Sequence, residues 1–528
     1  MANRKLFGSA PGVLLPGTDT RNAHSAPAYR LTPEQALAQY AATGCLNDTF
    51  YASAQDQLAA VLGLCAQVSP EFVAKAAIHA RERGFMKDLP ALLCAVLAVR
   101  APDLLPPVFE RVIDSPRMLR NVVQIIRSGV VGRKSLGSRP KRLVLGWLEQ
   151  RDEEALFRAA VGESPSLADI VRMVHPRPAS PTRQAFYGYL LGQPHDAAVL
   201  PPSVRAYEAF RTAPATARPA VPNVPFQYLT SLELSRSEWA AVARQVSWQA
   251  LRQNLNTFLR HGVFDDPEAV RAAAAKLRNP SEVRRARVFP YQLLCAYRNA
   301  ADGLPPELRE ALQEALDAAL DNVPETAGKV YVFPDVSGSM RSPVTGRRQG
   351  ATSTVQCVDI AALVAAALLR RNPGTEVLPF TETVVPCALN PRDSVLTNAA
   401  RLARLPAGGT NCSAPLRHLN ARHATGDLVV YVSDNQSWVD TVVTTGVPTA
   451  TMREWADFKR RSPQARMVCV DVQPGADAQA KPGSDVRHVA GFSDQVFDLI
   501  AAVSRGGVEP DWWVRQIEAV QVHVAGAA

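Results

Sequence analysis

A chain of 528 residues is too long for one hydrophobic core, and at about 100–200 residues per domain it divides into two to four units. Its 47% apolar and 20% charged residues exclude a disordered chain, and its longest apolar run, Ile360 to Leu369, is shorter than the roughly 18 residues of a membrane-spanning helix. Net charge is +9, unevenly placed: residues 1–300 carry 37 basic and 24 acidic side chains, whereas residues 301–528 carry 21 and 25. An excess of +13 on the first part points to a polyanionic partner, because cations that replace counterions on phosphates gain free energy. Met1-Ala2-Asn3-Arg4-Lys5-Leu6 has no apolar core ahead of a cleavage site, so a cytoplasmic protein is expected. The eight cysteines form no C-x-x-C and no Cys/His cluster, so reduced, buried thiols are expected, Cys412 among them.

Residues 1–28, rich in Gly, Pro, Ala and Ser, read as an extended arm. Amphipathic helices follow over Pro33–Thr43, Ala54–Ser69, Pro70–Gly84, Asp88–Val99, Pro106–Asp114 and Ser115–Ser128. Helix pairs recurring every forty residues or so predict a HEAT-like solenoid without a strict repeat. From Ser115 to Leu148 no acidic residue occurs among eight basic ones: Arg117, Arg120, Arg127, Arg133, Lys134, Arg139, Lys141 and Arg142. Gly129, Gly132 and Gly137 interrupt the run, which therefore contains a loop between helices. Such a run is ordinarily a solvated face, but its self-repulsion is relieved best by a polyanion. Helices are read over Ser166–Val174, Arg205–Thr212, Ser237–Val246, Trp248–His261, Pro267–Leu277, Ser281–Ala286 and Pro305–Leu320. A second basic cluster, Arg284, Arg285 and Arg287, lies near Phe289, Tyr291 and Tyr297, aromatics that stack on unpaired bases or simply fill a core.

Past residue 325 the period changes. Apolar strands Val330–Phe333, Glu376–Phe380, Val384–Leu389, Leu428–Val432 and Met467–Val472 alternate with helices Val355–Arg371, Ser394–Leu405, Pro415–His423, Arg453–Arg461 and Asp494–Val503. Alternation of this kind predicts a doubly wound parallel sheet, with its ligand crevice beyond the strand ends. The tail 511–528 begins Asp511-Trp512-Trp513-Val514 and is apolar enough to pack back on the body. The strand Tyr331-Val332-Phe333-Pro334 runs into Asp335-Val336-Ser337-Gly338-Ser339, Pro406 to Asn411 is a glycine-rich loop presenting Thr410, and Leu428–Ser433 ends on Asp434. Three loops thus offer hard oxygens, which Mg²⁺ takes in a near-octahedral array of about six. DxSxS alone also fits an ordinary Ser/Gly turn.

The triple pattern resembles the metal-ion-dependent adhesion site of von Willebrand factor A domains. By that resemblance Asp335, Ser337, Ser339, Thr410 and Asp434 hold a divalent cation, Mg²⁺, with one position open to a carboxylate or water. Val73 to Arg81, Gly129 to Lys134, Val171-Arg172-Met173-Val174-His175-Pro176-Arg177-Pro178 and Leu251-Arg252-Gln253-Asn254-Leu255 resemble the TROVE module of the Ro 60 kDa autoantigen family. The organisation implied is an arm (1–28), a TROVE module (29–325), an A domain (326–510) and a tail (511–528), in which an all-α ring of HEAT-like repeats is followed by an α/β A domain. The family implies a monomer that binds small Y RNA on a basic outer face and takes single-stranded 3′ ends of misfolded or precursor non-coding RNA into a central hole. It further implies a link through Y RNA to a ring-shaped 3′-to-5′ exoribonuclease, and no membrane partner. His175 and Arg177 match the family's outer-surface x-x-Ser-His-x-Lys-Pro motif with Val174 and Arg177 in its Ser and Lys positions; Arg158 matches a Y RNA contact whose second basic position is Gly162 here. Arg252 belongs to the resembling stretch.

Two other functions compete. A Mg²⁺-dependent phosphohydrolase built on Asp335 needs a second acid two residues on, where Ser337 stands. A protein-binding adaptor would grip a partner carboxylate through the cation, and chelator would abolish its binding.

Overall fold

The computed structural model describes residues 15–43, 46–162, 164–286, 288, 290–320, 323, 325–326, 328–344, 346, 355–438, 445–491, 495–506, 509 and 511–522. Arg287, Phe289, Cys45 and the first fourteen residues of the arm lie outside them.

Residues 15–30 do not stand free as an arm. Strands β1 (Thr20–Arg21) and β2 (Pro27–Arg30) pair antiparallel, and β2 pairs in turn with a strand more than 440 residues away, β7 (Asp477–Ala478). Local composition reads as loop here because each strand is too short to carry a period, and the pairing partner is remote in sequence.

The helical part begins with α1 (Pro33–Thr43), α2 (Ala54–Gln67), α3 (Pro70–Glu82), α4 (Asp88–Arg100), α5 (Leu105–Val112), α6 (Pro116–Ser128), α7 (Ser138–Glu149), α8 (Glu153–Ala159), α9 (Leu167–Val174) and α10 (Pro181–Leu191). It continues with α11 (Pro202–Thr212), α12 (Phe226–Leu229), α13 (Arg236–Gln245), α14 (Trp248–Gln253), α15 (Leu255–Arg260), α16 (Pro267–Arg278), α17 (Pro280–Ala286), α18 (Pro290–Arg298) and α19 (Pro306–Ala319). Serine caps set many of the starts: Ser53, Ser69, Ser115, Ser166, Ser180 and Ser235 each accept an amide hydrogen of the first turn, the ordinary way of satisfying an orphan donor. The helix expected over Trp248–His261 is two, because Asn254 leaves helical geometry at φ −118°. No helix among the described residues is long and apolar enough to cross a membrane.

The A domain holds β3 (Val330–Pro334), β4 (Glu376–Val377), β5 (Leu428–Ser433), β6 (Arg466–Asp471) and β8 (Val486–Ala490) in one parallel sheet, ordered β4-β3-β5-β6-β8. Its helices are α20 (Cys357–Arg371), α21 (Val395–Ala403), α22 (Ala414–Ala421), α23 (Ala450–Arg461) and α24 (Gln495–Ser504). Val332, Val430 and Val470 point to the face covered by α20 and α24, whereas Phe333, Tyr431 and Cys469 point to the face covered by α22 and α23. Both faces are therefore buried, as a parallel sheet requires. Residues 384–389, expected as a strand, make only a bridge from Val384 to Phe380; the fifth strand is β8.

Contacts run in a closed circuit. Helix α1 packs on α2, α3 and α4, and α3 packs on α4; α4 meets α6, α6 and α7 meet α9, and α8 meets α10 and α11. At the Pro-rich stretch before α12 the link is aromatic: Tyr228 stacks on Phe157 of α8 at 4.6 Å, and Phe226 approaches Trp239 and Phe258 at 6.4 Å. Helix α13 then meets α16, α16 meets α19, and α18 meets α20 of the A domain, whose β8 packs on α1. The last helix, α25 (Trp512–Glu518), seals this junction against α1 and α3, with Trp513 Nε1 donating to Ala38 O and its ring edge-on to His79.

One ion pair spans the other junction. Arg298 of α18 reaches Asp359 of α20 at 2.6 Å, and the carboxylate is wholly buried while the guanidinium keeps about a third of its surface exposed (31%). Removing one partner of such a pair strands a buried charge. Arg298→Ala is expected to lower stability by about 2–4 kcal/mol, less than for a fully buried pair because water reaches the arginine. The double variant Arg298→Met, Asp359→Asn, which keeps an oxygen for the Gln356 amide, recovers most of the loss; denaturant unfolding of both checks this.

Candidate functional site

The five oxygen-bearing residues converge because two neighbouring parallel strands end side by side. Pro334 of β3 pairs with Val432 of β5, and the Asp335 amide donates to Val432 O at 3.0 Å, so Asp335 and Asp434 emerge at one edge. This edge is also where strand order reverses, since β4 lies on one side of β3 and β5 on the other. The third loop docks by backbone bonds: Gly338 N donates to Gly408 O at 2.9 Å, and Asn411 N to Thr381 O at 2.9 Å. A Cβ at Gly409 would lie 2.6 Å from Trp438 Nε1, so a larger residue there would have to push that side chain aside.

Asp335, Ser337, Ser339, Thr410 and Asp434 are all buried. Asp335 Oδ1 accepts from the Ser337 amide (2.8 Å) and Oδ2 from Ser433 Oγ (2.6 Å), while the Ser337 and Ser339 hydroxyls lie 3.3 Å apart. Asp434 Oδ1 accepts from Gln436 N, but its Oδ2 is buried with no hydrogen-bond partner. A buried carboxylate oxygen without a donor is costly unless a cation or a proton completes it. Burial is the main cause that raises the pKa of Asp335, and burial followed by the charge of Asp335 pushes Asp434 up to about 7. The donor set, two carboxylates and three hydroxyls, suits a hard cation such as Mg²⁺. Cys412 lies buried nearby, and burial raises its pKa well above normal, which makes it an inert thiol.

Ser433 was not legible as a participant, and neither were two residues from outside the A domain. Tyr51, in the loop between α1 and α2, has its hydroxyl 3.2 Å from His24 Nε2 and lies close enough to Ser339 and Asp434 to feel both; burial foremost, then Asp434, raises its pKa. Nothing in the chain near residue 51 signals a neighbour almost 300 residues on.

The basic residues divide by what already occupies them. Arg117 and Arg139 pair with Asp88 of α4 and with Asp103 in the turn before α5, at 3.6 and 2.8 Å, so acids from elsewhere in the helical part relieve part of the 115–148 run. Arg120 donates to Ala159 O, Arg133 to Ala98 O and Ser135 O, and Arg158 to Asn223 O, although Arg158 stays exposed. Arg127 reaches across to Met173 of α9, which brings it near His175, an exposed residue in the left-handed conformation (φ 52°). Arg285 pairs with Glu282. Lys134, Lys141, Arg142, Arg177 and Arg284 have no ion-pair partner among the described residues; Lys134, Arg142, Arg177 and Arg284 are exposed and Lys141 is half-buried. Arg252 is a correction: it is buried, with its guanidinium turned inward to Gln249 Oε1 and Gln292 O, and it presents no cation to solvent. Arg284 and Arg285 sit on α17, which packs on α14, α16 and α19, apart from the helices that carry the first cluster.

Comparison with known proteins agrees with this architecture. Residues 329–503 match the family model described as the Ro60 vWA domain. RNA-binding protein RO60 of Deinococcus radiodurans is 25% identical over 523 aligned residues, covering 91% of this chain and 94% of that one. The protein of the same name from Caenorhabditis elegans is 24% identical over 199 residues, 36% of this chain and 30% of that protein. The crystal structure of the D. radiodurans RO (RSR) protein superposes with a TM-score of 0.59 at 20% identity, over 90% of this chain and all of that one. The fold is therefore shared along nearly the whole length.

The raised acids set a pH dependence. A carboxyl whose folded pKa lies above its unfolded value costs stability as pH rises, the loss growing from about pH 4 to completion above about pH 7. A cation cancels that loss only where the carboxylates are ionised. Mg²⁺ is expected to raise the melting temperature over EDTA at pH 8 and to have almost no effect at pH 5.5. Asp434→Asn is expected to melt higher than the parent in EDTA at pH 8 and to ignore Mg²⁺. Calorimetry at the two pH values checks both.

Proposed function

We propose, for a chain that belongs to the Ro 60 kDa family, a non-enzymatic RNA-binding function in the quality control of non-coding RNA. The protein acts as a cytoplasmic monomer, holds small Y RNA on the basic face around α6, the 129–137 loop, α7 and α9, and admits single-stranded 3′ ends of misfolded RNA to the space that the helical circuit encloses. Recruitment of a 3′-to-5′ exoribonuclease through Y RNA belongs to the same reading. The observation that carries it is the set of cations with no ion-pair partner among the described residues, Lys134, Lys141, Arg142, Arg177 and, on α17, Arg284, on a closed helical scaffold whose relatives are named RNA-binding proteins.

The physics suits sequence-blind recognition. Phosphate contacts fix position without reading bases, and a closed circuit discriminates by strand width. A structured RNA on the outer face is held by shape and backbone charge. Against catalysis at Asp335 stands the residue two positions on, Ser337, whose hydroxyl faces Ser339 and is no general acid. Mg²⁺, where bound, would sit on Asp335, Ser337, Ser339, Thr410 and Asp434 and supply charge neutralisation.

A salt titration tests the reading with a stem-loop RNA bearing a single-stranded 3′ tail and its blunt counterpart. Affinity is expected to depend on the tail, to fall with salt by a log–log slope of about −0.7 per phosphate contacted, and to ignore EDTA. Lys141→Glu with Arg142→Glu is expected to weaken Y RNA binding and flatten the slope by about 2, while tail binding changes less. Equal, weak binding of tailed and blunt RNA would remove the central-hole reading.

A further inference from the structure

The residues nearest the mouth of the cation site do not all belong to the A domain. Residues 18–24 lie along the loop that follows Asp434: Thr18 N donates to Val447 O (3.1 Å), Gly446 N to Thr18 O (2.8 Å), Asn22 Nδ2 to Ser437 O (2.6 Å) and Ala23 N to Gln436 Oε1 (2.9 Å). Asn22 is buried and its Oδ1 takes the amides of His24 and Ala26, which fixes the turn that presents His24. His24 Nε2 stands 3.2 Å from the Tyr51 hydroxyl, with the rings edge-on at 5.5 Å, and Phe50 braces the other side of Tyr51 at 4.8 Å. Ser339, one of the candidate ligands, and Asp434, whose Oδ2 has no hydrogen-bond partner, both act on the Tyr51 hydroxyl, which sets it near the mouth of the site.

We propose that Tyr51 closes the cation site from outside the A domain, so that a bound divalent cation locks the 15–53 segment onto that domain instead of receiving a partner's carboxylate. The inference rests on the cation reading of Asp335 and goes beyond it. With His24 Nε2 accepting the phenol proton, the lone pairs of the phenol oxygen face Ser339 and the site; His24 is a positioning residue. A neutral phenol is the oxygen donor that two carboxylates tolerate at that point, since they already balance a divalent charge and a third anion would leave the buried centre negative.

The lock has a mechanical meaning. The same 15–53 stretch contains β1, β2 and α1, and α1 packs on β8. Holding Tyr51 to the cation therefore couples metal binding to one of the two junctions that close the helical circuit.

The full-length protein is titrated with Mn²⁺ as the probe, with affinity read by calorimetry and exchangeable waters on the bound ion by proton relaxation enhancement. In parallel, hydrogen exchange of residues 46–53 and 15–30 is followed with Mg²⁺ or EDTA. The variants are Tyr51→Phe, which keeps the ring and removes the oxygen, and Asp335→Ala. The parent is expected to bind Mn²⁺ with low relaxation enhancement and to slow exchange at 46–53 about tenfold when Mg²⁺ is present. Tyr51→Phe is expected to bind Mn²⁺ several-fold more weakly, with at least one more exchangeable water, and to lose the Mg²⁺-dependent slowing; Asp335→Ala abolishes binding. If binding requires Asp335 but Tyr51→Phe matches the parent in affinity, relaxation and exchange, the closure is wrong and the site is an open receptor. If Mn²⁺ binding is indifferent to Asp335, the cation reading falls and the closure falls with it.

Discussion

Closure of the helical circuit is the constraint on which the rest depends. A row of helices that contact mainly their neighbours has no intrinsic reason to return to its start, and its curvature is the sum of small steps. Here the A domain supplies the return by holding both ends: α1, α25 and the β2–β7 pairing at one junction, and α18 with Arg298–Asp359 at the other. The first junction buries polar groups and bonds some of them across it. Gln39 of α1 donates to Asp471 Oδ2 at 2.9 Å, and His488 Nδ1 lies 3.3 Å from the same oxygen. Buried bonds of this sort fix register, because a slip leaves each group without its partner. A fixed register at both junctions holds the circuit closed.

Charge is organised to match. The helical part carries the positive excess, and its arginines do two different jobs. Arg120, Arg133 and Arg252 serve the scaffold by donating to backbone carbonyls across helix junctions, a use for which a planar five-donor fork is well shaped. Lys134, Lys141, Arg142 and Arg177 have no ion-pair partner among the described residues, and Lys134, Arg142 and Arg177 are exposed to solvent. A count of basic residues along the chain merges the two groups; only the positions of the neighbouring carbonyls and of Asp88 and Asp103 separate them.

That distinction marks where the sequence was informative. Serine caps and 3.6-residue periodicity placed α2, α3, α4, α6 and α9 to within about two residues, because those signals are local. The parallel sheet was legible in β3, β5 and β6, whose side chains are apolar on both faces. All five A-domain oxygen donors fall on one edge because each follows a strand end or a glycine-rich turn, which a linear reading detects. Neither β1–β2 nor its bond to β7 could be read, since two- and four-residue strands carry no period and their partner is remote. Residues 384–389 alternate like a strand yet find no edge to join, as β4 is itself two residues long. Tyr51 and His24 escaped for the same reason as β1 and β2: their importance lies in what tertiary structure sets beside them.

The placement of Tyr51 bears on what an A domain is for in this architecture. A cation site open to solvent is a receptor, because an incoming carboxylate replaces water on an ion the protein has already dehydrated in part. A site whose mouth is filled from within the same chain meets a ligand at an effective concentration that no partner at cellular levels approaches. Competition then favours the internal phenol unless the 15–53 segment lifts away, and lifting it separates the β2–β7 pairing and the Asn22–Ser437 bond as well. The linked contacts make the closed form cooperative: each one holds the others in reach. In such an arrangement a bound cation would serve the geometry of the circuit instead of receiving a partner.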